Sequence, residues 1–222
     1  MIQANPAAAL PHSSQYTLGE EIAHCVTHGA GALLAIAGLA VLTAFASLRG
    51  NAWHVVSVSL YGATLVLLFT SSTLYHGIAA PRAKAVLRHL DHAAIFLLIA
   101  GTYTPFALVN LRGPWGWTIF AVIWTLAVAG VLMQTRLIRR AKWVNALLYV
   151  LMGWLVIVAI KPLAAAVEMG GLVLLVAGGL AYTLGTAFYV WKRLKFHHAI
   201  WHGFVLLGSA LHFFAVLFYV IP

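Results

Sequence analysis

Seven long apolar stretches, separated by short polar loops, dominate the sequence. A spanning helix needs about 20 predominantly apolar residues, so each stretch is long enough to cross a bilayer. We predict spans at about 22–47, 54–75, 90–109, 117–134, 144–166, 171–191 and 199–220. Hydrophobic residues make up 63% of the chain and charged residues only 8%, whereas a soluble domain carries about 25% charged residues. The predicted fold is an all-α integral membrane bundle of seven transmembrane helices.

The loops are short and none resembles a linker, so we predict one transmembrane domain over residues 21–222 after a polar tail over 1–20. The first 21 residues contain no Lys or Arg, and the apolar run that follows is too long for the core of a signal peptide. We therefore expect the first helix to stay in the protein. The single cysteine, Cys25, excludes an intrachain disulfide.

The basic residues predict the orientation of the bundle. Most of them fall on the side of the membrane that holds the N-terminus: Arg82, Lys84, Arg88, Arg136, Arg139, Arg140, Lys142, Lys192, Arg193 and Lys195. The other side has Arg49, Arg112 and Lys161. The positive-inside rule places the N-terminus in the cytoplasm and the C-terminus outside. Because the net charge of +9 comes from these loop clusters, we expect membrane lipids as partners and no nucleic acid.

Most histidines fall at the predicted cytoplasmic ends of helices: His24, His28, His76, His89, His92, His197, His198 and His202. Asp91, the only aspartate, lies at the same depth, where we predict the start of the third helix. Polar side chains inside a membrane are costly and tend to be functional. We therefore predict that imidazoles from four helices and one carboxylate meet at one membrane depth.

His198 and His202 are four residues apart and share one face of a helix, so both can bind one metal ion. His76, at the matching depth of the second helix, is the predicted third ligand. Three neutral imidazoles with an open fourth position are typical of catalytic zinc. Asp91 would accept a proton from a water molecule in the site. Ser72, one turn before His76, would orient that water or a substrate carbonyl.

Plainer interpretations stand beside this one. Interfacial histidines often face lipid headgroups, which is our interpretation of His89 and His197, and Asp91 in this position is also typical of a helix N-cap. The pair of His24 and His28 would line the same cavity or pack against Glu21. Three imidazoles also suit other first-row ions.

Four motifs carry a resemblance to a known family: "EEIAHCVTHGAGALLAIAG" in the first helix, "SSTLYH" in the second, "LDHAAIFLLIAGTYTPF" in the third and "HAIWH" in the seventh. With them the chain resembles the hemolysin III family of bacterial seven-helix proteins over about residues 20–222. That family is related to the progestin and adipoQ receptor family, which includes the adiponectin receptors.

The resemblance implies a zinc site of His76, His198 and His202 near the cytoplasmic face of the bacterial inner membrane. It also implies that Asp91 positions or activates a water molecule and that Ser72 lies in the same pocket. The wider superfamily includes alkaline ceramidases, which implies hydrolysis of a lipid amide or ester. His24 departs from the pattern, because a small polar residue is expected there.

Two other functions remain open from the sequence. One is a non-enzymatic regulator or sensor of membrane fluidity, in which a structural zinc ties the helices together. The other is a pore-forming cytolysin or channel, as the family name implies. The helices lack the polar stripe that would line a wide pore, which counts against a channel.

Overall fold

A computed structural model describes residues 16–136 and 142–222, and these ranges contain helices without any strand. The helices are α1 (Leu18–Arg49), α2 (Ala52–Gly77), α3 (Pro81–Pro105), α4 (Pro114–Arg136), α5 (Lys142–Gly153), α6 (Ile160–Ala166), α7 (Met169–Val190) and α8 (His197–Tyr219). A π-helical turn, Phe106–Asn110, extends α3, and a 3-10 segment, Trp154–Ala159, joins α5 to α6. They form seven spans long and apolar enough to cross a membrane, which confirms the predicted fold class.

The start of α1 is tied to the start of α8. Thr17 caps α1 in a capping box with Glu20, in which each side chain bonds the other residue's backbone N–H. Oε1 of Glu20 also accepts a hydrogen bond from the backbone N–H of Phe196, at 3.2 Å. Phe196 has a φ of 57°, in the left-handed region, immediately before α8 begins. The side chain of Glu20 therefore links the start of α1 to the residue that precedes α8.

The third helix begins earlier than the sequence predicted. We expected it to start near residue 90, but α3 begins at Pro81, which occupies the first turn that suits proline. Arg82, Lys84 and Arg88 therefore lie on α3 rather than in a loop, and Asp91 lies about three turns inside the helix. The interpretation of Asp91 as an N-cap is wrong. The predicted tail up to residue 15 and the predicted loop residues Arg139 and Arg140 lie outside the described ranges.

The main packing contacts join α1 to α2, α2 to α3, α3 to α4 and α7 to α8, and α1 also contacts α8. Small residues allow the closest approaches. A Cβ at Gly101 would collide with the side chain of Thr64, which shows how closely α2 and α3 approach there. This packing sets the relative position of the helices that carry His76 and Asp91.

The fifth span contains a break that the sequence did not predict. The 3-10 segment between α5 and α6 interrupts the regular ladder of backbone hydrogen bonds. The hydroxyl of Tyr103, on α3, lies 2.7 Å from the carbonyl oxygen of Gly153 and 3.0 Å from that of Met152, and it accepts a bond from Val156 N–H at 2.9 Å. A neighbouring helix thus satisfies backbone groups that the break releases, as irregular backbone in a membrane requires.

Candidate metal centre

The structure brings the three predicted ligands together. One ring nitrogen from each of His76, His198 and His202 lies within 4.8 Å of the other two. All three side chains are buried, and their ring centroids are 4.6 to 5.3 Å apart. Zinc bonds imidazole nitrogen at about 2.0–2.1 Å, so tetrahedral ligands lie roughly 3.3 Å apart. The cluster is compact enough to bind a metal ion after small adjustments of the rings.

Hydrogen bonds orient two of these rings. Nδ1 of His76 lies 2.7 Å from Oε2 of Glu21, and because a carboxylate accepts, the imidazole donates through Nδ1–H. Nδ1 of His202 lies 3.3 Å from the carbonyl oxygen of His24 and 3.3 Å from the hydroxyl of Thr27. In both residues the occupied Nδ1 leaves the lone pair of Nε2 available to a cation.

The donor set fits a cation such as zinc. Nε2 of His76 is buried and has no hydrogen-bond partner in the described part of the chain, and the same holds for both ring nitrogens of His24. A buried polar atom without a partner is costly, and a metal ion bound by Nε2 of His76 would remove that cost at His76. Neutral imidazoles suit zinc, copper, iron and nickel, so this donor set would suit a transition-metal ion better than magnesium or calcium.

Asp91 and Ser72 are both buried, but they lie in different parts of the site. Asp91 lines a cavity together with His198 and His202. One of its oxygens, Oδ2, lies 3.4 Å from Nδ1 of His92. Ser72 is fully buried on α2, one turn before His76, and within residues 16–136 and 142–222 nothing hydrogen-bonds to its Oγ. The catalytic roles of Asp91 and Ser72 stay predictions.

A cavity of about 110 Å³ extends from the histidine cluster into the bundle. It runs between α3, α5, α7 and α8, from Asp91 and His202 to Tyr182 and His212. Ten residues of helix separate His202 from His212, which corresponds to about 15 Å. Its walls are mainly apolar, so its interior suits hydrocarbon better than a polar group.

The first helix contributes more than the sequence suggested. His24 is fully buried, and its ring centroid lies 4.6 Å from that of His76, 4.9 Å from that of His198 and 5.3 Å from that of His202. His28 stacks on His202 with a centroid distance of 3.5 Å and an angle of 10°. Both histidines of α1 therefore belong to the cluster.

Glu21 was missed as a site residue because we placed it just before the first span. Together with His24 and His76 it forms a second group whose ligand atoms lie within 4.8 Å of one another. A usable signal was present. Glu21 lies three residues before His24, so the two side chains share a face of an apolar helix, and an ionisable residue in that setting indicates a functional role.

Tyr16, just before α1, and His197, at the start of α8, enclose the cluster at the end of the bundle where these two helices begin. The ring of Tyr16 lies 4.7 Å from that of His24 and stacks at 5.3 Å on that of His198. Burial raises the pKa of the Tyr16 hydroxyl well above its usual value, so the group stays neutral.

His197 is buried, and its Nδ1 donates to the carbonyl oxygen of Phe188, at 2.9 Å. The interpretation of His197 as a headgroup-facing residue is therefore wrong, because it ties α8 to the end of α7.

The sequence model of the family described as "Haemolysin-III related" matches residues 16–213, which include every residue of this cluster. The chain belongs to this family. It is similar to "Hemolysin-3" of Bacillus cereus, with 52% identity over 91% of this chain and 93% of that protein. It is also similar to "Hemolysin-3 homolog" of Bacillus subtilis (strain 168), with 47% identity over 93% of this chain and 97% of that protein.

A more distant similarity reaches animal proteins. "Monocyte to macrophage differentiation factor" of Homo sapiens is 30% identical over 95% of this chain and 89% of that protein. No solved structure matches the chain. The haemolysin III membership confirms the resemblance that the four sequence motifs indicated, and with the seven spans it establishes a multi-pass membrane protein.

Proposed function

We propose that this haemolysin III-related protein is a zinc-dependent hydrolase that cleaves an amide or ester bond of a membrane lipid. The observation that carries the proposal is the convergence of three buried imidazoles, His76, His198 and His202, beside a cavity lined by Asp91. The chemistry of hydrolysis needs an activated water molecule, a proton acceptor and a place for the lipid. The described residues supply candidates for each.

Zinc bound by the three imidazoles would lower the pKa of a coordinated water toward about 7 and polarise a carbonyl group. Asp91 accepts the proton from the attacking water and returns it to the leaving group, because its carboxylate lines the cavity together with His198 and His202. The hydroxyl of Ser72 donates a hydrogen bond to the carbonyl oxygen as negative charge develops there.

The apolar cavity supports a lipid substrate. Ligand sites are typically apolar with a few convergent polar groups, and here the polar groups lie at the histidine end. The hydrocarbon part of the lipid lies along the cavity toward Tyr182 and His212. The scissile bond then lies beside the imidazoles, and the lipid enters laterally from the bilayer.

We also propose that the metal centre lies near the cytoplasmic face of the bacterial inner membrane. The distribution of Lys and Arg between the two sides supports a cytoplasmic N-terminus. The clustered histidines lie at the N-terminal ends of α1 and α8 and at the C-terminal end of α2. Bacterial relatives at 47% to 52% identity support a bacterial setting.

Incubation of the purified, metal-loaded protein with a panel of lipid amides and esters tests the activity. We expect release of a fatty acid by the wild type and loss of that product in both His202→Ala and Asp91→Ala. Asp91→Ala is the sharper variant, because it keeps all three imidazoles and should keep the metal. A metal-loaded wild type that releases nothing from the whole panel contradicts the hydrolase.

One observation favours a second candidate, a non-enzymatic regulator or sensor of membrane fluidity with a structural metal. His24 brings a fourth imidazole into ring contact with the three predicted ligands, and structural zinc sites are typically closed by four protein ligands. Under this candidate His24→Ala would weaken metal binding as strongly as His76→Ala. Under the hydrolase proposal His24→Ala would keep the metal.

A further inference from the structure

We propose that Glu21 is a positioning residue of the metal centre and that it acts through His76. The inference rests on the metal-binding part of the proposed function. Oε2 of Glu21 accepts the hydrogen bond from His76 Nδ1–H at 2.7 Å. Oε1 of the same carboxylate accepts a hydrogen bond from the ammonium of Lys84 at 2.9 Å. Three helices, α1, α2 and α3, therefore meet at this one carboxylate.

The charge of Glu21 would be costly without these partners. The residue is 9% exposed, and a buried carboxylate needs both a counter-charge and hydrogen bonds. Lys84 supplies the counter-charge, and its own side chain remains partly in contact with solvent, since it is 21% exposed. The ion pair thereby holds the carboxylate in place, and the second oxygen is free to orient the imidazole.

The contact determines which nitrogen of His76 faces the metal. A carboxylate has no proton to donate, so it accepts from Nδ1–H, and the lone pair of the neutral ring lies on Nε2. Nε2 is the atom that has no hydrogen-bond partner among residues 16–136 and 142–222. A carboxylate behind a ligating histidine also raises the basicity of the ligand. Glu21 therefore both aims His76 and strengthens its bond to the metal.

The same helix supports a second ligand. The carbonyl oxygen of His24 accepts from Nδ1–H of His202 at 3.3 Å, and His24 lies one turn after Glu21. The first helix thus orients one ligand on α2 and one on α8. The first helix carries none of the three predicted ligands, but through Glu21 and the carbonyl of His24 it orients two of them.

Glu21, His24 and His76 are also close enough to hold a cation of their own. A cation there would compete with Lys84 for the carboxylate and would displace the proton from Nδ1 of His76. Both interactions are short and well formed in the structure. The arrangement therefore favours a supporting role for Glu21 over a second metal site, and the number of bound ions separates the two.

Glu21→Gln is the decisive variant, because glutamine keeps the shape of the side chain and removes its charge. In detergent-solubilised full-length protein, competition with a chelator of known affinity measures zinc binding. We expect affinity to fall about 10- to 100-fold, the usual effect of losing such a partner, while saturating zinc still gives one equivalent. The absorption spectrum of bound Co²⁺ should also change, because the ligand field of His76 changes.

Glu20→Gln is the matched control. It makes the same chemical change one residue away, in a side chain that contacts Thr17 and Phe196 instead of the cluster. Its zinc affinity and Co²⁺ spectrum should equal those of the wild type. Lys84→Met removes the ion pair without touching His76 and should weaken zinc binding by a smaller factor than Glu21→Gln, which provides a second route if Glu21→Gln folds poorly.

The outcomes separate the two proposals. Wild-type affinity and spectrum in Glu21→Gln, with one zinc bound in each protein, overturn the positioning role and leave the proposed function standing. A fall from two equivalents to one overturns it as well, because Glu21 would then be a ligand of a second ion. A wild type that binds no metal overturns the proposed function together with this inference.

Discussion

Removal of the proposed metal should loosen the bundle, because its three predicted ligands lie on α2 and α8, helices that are far apart in the sequence. A ligand that binds only the folded state contributes RT ln(1 + [L]/Kd), which is about 2.7 kcal/mol at a free metal concentration 100 times Kd. A change of 1 kcal/mol shifts Tm by about 2–4 °C for a chain of this size. We therefore expect a chelator to lower Tm by roughly 5 to 11 °C.

The fluorescence of the eight tryptophans reports thermal unfolding in detergent, with and without a chelator. His76→Ala should unfold at a lower temperature and lose its response to the chelator. His89→Ala is the matched control, because His89 hydrogen-bonds the carbonyl of Ala85 on its own helix, and it should keep the full response. Equal midpoints for metal-loaded and metal-free wild type would refute the argument.

Three further predictions follow from individual contacts and from the charge distribution. Tyr103→Phe leaves backbone groups around the break in the fifth span without their partner, so the free energy of unfolding should fall by about 1–3 kcal/mol; unchanged stability would show that water or lipid replaces the hydroxyl. Ser72→Ala should lower kcat for lipid hydrolysis by about 10²–10³-fold while zinc affinity stays unchanged; unchanged kcat would remove Ser72 from the mechanism. In intact cells, an N-terminal tag should be protected from external protease and a C-terminal tag cleaved; the reverse pattern would invert the predicted topology.

Membrane crossing could be predicted from the sequence because lipid imposes a length and a composition on every span. The start of α3 could not be located in this way, because hydropathy marks apolar depth and says little about where a helix begins. Pro81 was the available signal, since proline is favoured in a first turn. Tyr103 from another helix bonds the backbone groups that the break in the fifth span releases, and no local pattern encodes such a contact.

The meeting of His76 with His198 and His202 could be predicted because helix periodicity and membrane depth together restrict where these side chains lie. The residues that form hydrogen bonds to these predicted ligands could not be predicted from the sequence. Glu21 meets His76 and Lys84 only after α1, α2 and α3 pack. His24 joins the cluster for the same reason. Residues that act through a tertiary contact can be predicted only when the packing of the helices is known as well as the sequence pattern.

Metal analysis of the purified full-length protein tests the central claim, that His76, His198 and His202 hold one metal ion. We expect the wild type to contain one equivalent of zinc and His198→Ala to lose it, while His54→Ala, at the opposite end of α2, keeps it. A His198→Ala protein that is folded and retains a full equivalent would contradict the claim, as would a folded wild type that binds no zinc when the metal is supplied.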